Sequence, residues 1–199
     1  MIDYNEIKRR LENNYKDCYS TITEISSDNR DKNKTILFIV NNKISINFDA
    51  KLSKKFKSEN ETQGNTEFKS VDMLHIKNDT IDLIEFKNIT SKKDNYYNKL
   101  KVQGIESLIV LFKLLKKEKL IETFNQLFDF NFIKINYYII VPDDLSPNQY
   151  SDNNRNRNRL QKICLFSRLE SEYSGKFFYD VSSYTANSFN KNYIDVYIN

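Results

Sequence analysis

The chain has 199 residues, 39% hydrophobic and 14% aromatic, with a net charge of +4. That length can bury a real core without disulfides or a structural metal, and the composition excludes a disordered chain. Two cysteines far apart, a single histidine and apolar stretches far below the ~20 residues of a membrane span exclude a disulfide scaffold, a His-rich metal centre and a spanning protein.

The N-terminus is charged within a few residues, which argues against a signal peptide and for a cytoplasmic protein. Residues 3–17 read as a helix: Tyr4, Ile7, Leu11 and Tyr15 fall on one face, and Asp3 is placed to cap it. Residues 35–40 and 43–48 read as a hairpin turning at Asn41-Asn42. Residues 51–66 are polar and read as an exposed loop or a short helix. A second hairpin covers 70–76 and 81–88. The strongest helix signal is 96–118, where Leu100, Ile105, Leu108, Leu111, Phe112 and Leu115 form a broad apolar stripe. A helical piece is expected over 119–129, a buried strand over 134–141, a helix over 153–171, and short strands near 176–181 and 193–198. This order predicts one α/β domain with a mixed sheet flanked by helices, its core over about 1–142 and a C-terminal extension over about 143–199.

The second hairpin carries the chemistry. Asn78-Asp79 suits a two-residue turn, because both residues tolerate positive φ. That turn pairs Ile76 with Ile81, Leu74 with Leu83 and Asp72 with Glu85. Strand alternation puts Lys87 on the same face as Glu85. Two carboxylates facing each other beside apolar surface destabilise a sheet unless a cation compensates. A hard divalent ion with oxygen ligands is the natural candidate. Such an ion can polarise a phosphoryl oxygen and acidify a bound water, and a nearby lysine can position that water or stabilise developing negative charge.

Asp72, followed after twelve residues by Glu85-Phe86-Lys87, resembles the motif of the PD-(D/E)XK nuclease superfamily. The order of elements over 3–141 is also similar to that family's core. The resemblance implies a restriction-endonuclease-like fold, Asp72 and Glu85 as ligands of Mg²⁺ or Mn²⁺, and Lys87 as the catalytic lysine. Many members add a glutamate from the first helix, which points to Glu6 or Glu12. Some recombination-type relatives add a glutamine on the helix after the third strand, which points to Gln103, sixteen residues past Lys87. Two departures stand out: Val71 replaces the proline before the Asp, and Ser107 stands where those relatives carry a tyrosine.

Arg155, Arg159 and Lys162 would share a helix face and could grip phosphates, or form an ordinary solvated face. Lys92 and Lys93, in the loop after Lys87, are candidate backbone contacts. His75 points away from Asp72 toward Asp82 and reads as structural. The expected activity is metal-dependent phosphodiester hydrolysis, on DNA rather than RNA, with a homodimer as the economical way to cut a duplex. The rival readings are a catalytically inactive nuclease-like module that binds nucleic acid or a protein, and an unrelated α+β protein such as a toxin-immunity partner.

Overall fold

The structure, a computed structural model, describes residues 1–28, 35–58, 69–88, 96–143 and 166–198. Helix α1 (Tyr4–Asn14) starts where expected: the Asp3 carboxylate accepts from the Asn5 amide at 2.9 Å and the Glu6 amide at 3.2 Å. Its buried stripe is Tyr4, Ile7 and Leu11. A 3₁₀ turn over Lys16–Cys18 leads to β1 (Tyr19–Thr21), and α2 (Ile22–Ile25) follows behind a Thr21/Glu24 capping box. Then come β2 (Ser27–Asp28), β3 (Ile36–Leu37) and β4 (Ile44–Asn47).

The hairpin expected over 35–48 does not form. Strand β3 pairs with β2, and β4 pairs with β1. Asn41 explains the difference. Its amide donates to Thr23 Oγ1 at 2.8 Å, its carbonyl accepts from the Thr23 amide, and its side chain accepts from the Lys43 amide at 2.9 Å. The chain is thereby tied to α2 instead of folding back on itself. Beyond β4, a π-helical turn (Phe48–Ser53) runs into α3 (Lys54–Ser58), and Lys51 donates to the Tyr19 carbonyl at 2.7 Å.

Strands β5 (Met73–Ile76) and β6 (Ile81–Phe86) pair antiparallel, with Ile76 opposite Ile81, His75 opposite Asp82, Leu74 opposite Leu83 and Met73 opposite Ile84. These pairs are the ones expected, but the ladder stops at Met73–Ile84, short of the expected Asp72–Glu85 pair, and Asn78 and Asp79 turn without the expected positive φ. Helix α4 (Tyr96–Lys117) crosses over to β7 (Ile135–Val141), which lies parallel to β6. Over 119–129 the helical piece shrinks to a 3₁₀ turn, Phe124–Phe128. Of the helix expected over 153–171, the described part is α5 (Ser167–Tyr173). Strand β8 (Asp180–Thr185) then joins β7 in parallel, four residues later than expected for its start.

The last segment corrects a second expectation. Residues 193–198 are not a strand: α6 (Ala186–Phe189), a π-helical turn (Asn190–Ile194) and α7 (Asp195–Tyr197) follow one another. Phe189 and Tyr193, one helical turn apart, stack with ring centroids 4.4 Å apart and are buried together with Ile194 and Ile198.

The result is an α/β architecture: a six-stranded mixed sheet in the order β1-β4-β5-β6-β7-β8, with helices on both faces. One face packs Leu74, Ile81, Leu83, Tyr137 and Ile139 against α1 and α4. The other packs Met73, Ile84, Phe86, Tyr138 and Ile140 against the C-terminal helical segment. The expected C-terminal extension therefore supplies both a strand of the sheet and one of its covers. No helix among the described residues is long and apolar enough to cross a membrane.

Candidate functional site

Strand β6 lies in the middle of the sheet and is buried along its whole length, so its two carboxylates, Asp82 and Glu85, are also out of water. Odd and even positions of a strand point to opposite faces, so these two acids lie in opposite layers. Their surroundings differ in a telling way.

Asp82 is fully satisfied. Asn136 Nδ2 donates to Oδ1 at 2.7 Å, while the Lys77 ammonium, 3.0 Å away, and the Tyr193 hydroxyl both serve Oδ2. The Lys77 ammonium also sits 4.6 Å from the ring centroids of both Tyr193 and Tyr197. This is a structural clamp of the C-terminal segment onto the sheet. His75 lies beside it, edge-on to Tyr193, and burial pushes its pKa down to about 4, so it is neutral.

Glu85 is satisfied on one oxygen only. Its Oε1 accepts from Gln103 Nε2 at 3.0 Å and faces the Lys87 ammonium at 3.2 Å. Lys87 in turn donates to Gln103 Oε1 at 3.1 Å, closing a triangle of three side chains. Its backbone amide donates a hydrogen bond to the Ile140 carbonyl at 2.8 Å. Glu85 Oε2 is buried with no hydrogen-bond partner, the one carboxylate oxygen so placed among the described residues. An orphaned charged oxygen in a closed environment costs several kcal/mol unless something compensates it.

Asp72 stands just beyond the last paired residue of β5 and is half-buried. Its Oδ2 accepts the Phe86 amide at 2.7 Å, so the side chain, not the ladder, closes this end of the hairpin. Its own carbonyl accepts from the Phe48 amide at 2.9 Å. Loss of water raises the Asp72 pKa well above the carboxylate range, nearby Glu85 raises it further, and the Phe86 amide and Lys87 oppose the rise. Burial likewise raises Glu85, against the pull of Lys87 and Gln103. Two like charges and one lysine leave the pair short of positive charge.

Helix α4 sets the site from behind. Ser107 is completely buried; it donates to the Gln103 carbonyl at 2.6 Å and accepts from the Val71 amide at 2.9 Å. The same residue that departs from the resembled pattern thus ties the glutamine's turn to the segment delivering Asp72.

Of the residues singled out in the sequence, Glu85, Lys87 and Gln103 are in mutual contact, with Asp72 bonded to the next backbone amide. The N-terminal glutamates are engaged elsewhere. Glu6 is held by Arg9 and Arg10, each at 2.7 Å, which lowers its pKa to about 2. Glu12 lines a recess with Lys8, Tyr19 and His75 whose walls include neither Asp72 nor Glu85. Lys92, Lys93, Arg155, Arg159 and Lys162 lie outside the described residues. One acid escaped the sequence reading: Asp49, in the turn after β4, is close enough to raise the pKa of both Asp72 and Glu85. Even so, no three His, Cys, Asp or Glu side chains among the described residues are gathered into a ready metal cage. In comparisons with known proteins, no family profile, no curated protein and no solved structure matches the chain.

Proposed function

We propose that the chain is a metal-dependent nuclease with a restriction-endonuclease-like core, hydrolysing phosphodiester bonds in DNA in preference to RNA. The observation that carries this reading is the orphaned Oε2 of Glu85, whose other oxygen faces Lys87 and Gln103 while Asp72 accepts the adjacent Phe86 amide. Asp82, three residues earlier on the opposite face of the same strand and buried as deeply, shows what a purely structural carboxylate looks like here: every oxygen is partnered.

Asp72 and Glu85 would hold Mg²⁺ or Mn²⁺, and the donor set fits a hard cation: carboxylate oxygens, one of them unpartnered, with no sulfur or imidazole. When bound, such an ion supplies Lewis acidity toward a phosphoryl oxygen and toward water. Lys87 keeps its ammonium buried and oriented by Glu85 and Gln103; a third proton is left to donate to an incoming water or to phosphate charge as it develops. Gln103 holds Glu85 and Lys87 at fixed separation and takes no charge itself. One such site cuts one strand, so cutting a duplex needs two copies or two encounters.

The test is incubation of supercoiled plasmid and of single-stranded DNA with Mg²⁺ or Mn²⁺, using wild type and Lys87→Ala, with circular dichroism to show that both are folded. Wild type should nick and then linearise plasmid, and Lys87→Ala should lose at least about 100-fold in rate. A folded wild type that cuts neither substrate with either ion refutes the enzyme reading. Equal cutting by Lys87→Ala assigns the activity to other residues.

A further inference from the structure

The Lys77–Asp82–Tyr193 clamp is saturated with partners and has nothing left to bind. The recess beside Glu12 is lined by no orphaned carboxylate. The acid beside the site, Asp49, is different.

Backbone and side-chain contacts fix Asp49 against the segment that carries Asp72. Asn47 pairs with Met73, and the next amide, that of Phe48, donates to the Asp72 carbonyl at 2.9 Å. Ser70, two residues before Asp72, donates its hydroxyl to Asp49 Oδ1 at 2.7 Å. Asp49 is half-buried, so its charge is only partly screened by water. The cluster is not merely acidic: the buried, unpartnered Oε2 of Glu85 is a second and independent sign that a cation belongs here.

The geometry points to Asp49 as a third carboxylate of the ion site, acting on the ion through a water of its shell. This rests on the metal-dependent reading of Asp72 and Glu85. Water mediation follows from two facts. Asp49 is not gathered with Asp72 and Glu85 into a direct three-ligand group. Mg²⁺ in turn sheds its waters reluctantly and is held by one or two carboxylates with several waters kept. In this role Asp49 replaces the glutamate that α1 commits to Arg9 and Arg10. Its hydrogen bond to Ser70 orients the carboxylate, as outer partners orient metal-binding groups generally.

The experiment is titration of the intact protein with Mn²⁺, read by the loss of free-ion paramagnetic resonance, for wild type, Asp49→Asn, Ser70→Ala and Asp72→Asn. Asp49→Asn keeps an oxygen that accepts from Ser70 and removes only the charge. Ser70→Ala removes the hydrogen bond and keeps the charge. Asp49→Asn should weaken Mn²⁺ binding by about 10-fold or more, Ser70→Ala by less, and Asp72→Asn should remove specific binding. If Asp49→Asn binds Mn²⁺ as wild type does while Asp72→Asn does not, the role of Asp49 is overturned and the metal site stands. A larger loss in Ser70→Ala than in Asp49→Asn overturns it too, because the contact would then be structural. If wild type itself binds no Mn²⁺, both readings fall together.

Discussion

Asp72 and Glu85 are poor choices for stability alone. Folding raises both pKa values, so across the window from the ordinary carboxylate range upward the folded chain keeps protons that the unfolded chain has released. Stability of the metal-free protein therefore falls as pH rises through that window, and is regained on acidification. Asp72→Asn removes the repulsion while leaving an oxygen to accept the Phe86 amide. In the presence of a chelator at pH 7, the variant should melt higher than wild type, by roughly 2–4 °C for each kcal/mol of repulsion relieved. A lower melting temperature would mean that the Asp72 charge stabilises the empty fold, contrary to the electrostatics described. What was legible at this scale is the contact between Glu85 and Lys87, two positions apart on one face, and the return of Asp72 to the same end of the hairpin, where it accepts the Phe86 amide. Gln103 came through the resemblance instead. Asp49 was hidden because its approach to Asp72 depends on β4 pairing with β5, a contact that no local spacing determines.

Among the elements, α4 matters most, because it carries Gln103 and Ser107 and packs directly on β7. Gly104 makes that approach close. A Cβ there would stand 3.0 Å from Tyr137 Cε1 and 3.3 Å from Phe178 Cζ. Tyr137 cannot yield easily: its ring is buried against Phe178 and its hydroxyl donates to the Leu100 carbonyl at 3.1 Å. Gly104→Ala gains about 1 kcal/mol of helix propensity but forces the packing, which costs about 1–3 kcal/mol. Urea unfolding should show net destabilisation, with cleavage reduced in step as Gln103 is displaced; an unchanged or raised midpoint would show that the layer can open without cost. The elements were unevenly legible. Helices α1 and α4 and strands β5 to β7 follow from apolar period and turn chemistry. The C-terminal helical segment was misread because Phe, Tyr, Val and Ile favour strands locally, while the burial of Phe189 and Tyr193 on one helical face, decided by packing, sets the outcome. The first expected hairpin failed because Asn41 bonds to Thr23 of α2, a long-range choice invisible in the dipeptide.

For the molecule as a whole, two opposed titrations shape stability. The carboxylate pair favours acid. His75 does the opposite: its pKa falls from 6.5 to about 4 on folding, so the unfolded chain takes up a proton that the folded chain refuses. That contribution is lost as pH falls from 6.5 toward 4 and amounts to on the order of 3 kcal/mol. Removing His75 removes this opposing contribution, so between pH 7 and 5 His75→Phe should lose less stability, or gain more, on acidification than wild type does, as followed by urea midpoints without metal. A variant profile parallel to wild type would show that His75 titrates normally in the fold. The sheet's outer rim has a different consequence. Strand β1 offers only three residues, and the ammonium of Lys51 already occupies the Tyr19 carbonyl. Short length and a lysine are devices that deny another chain a template for strand addition. This border of the sheet thus guards against edge-to-edge aggregation.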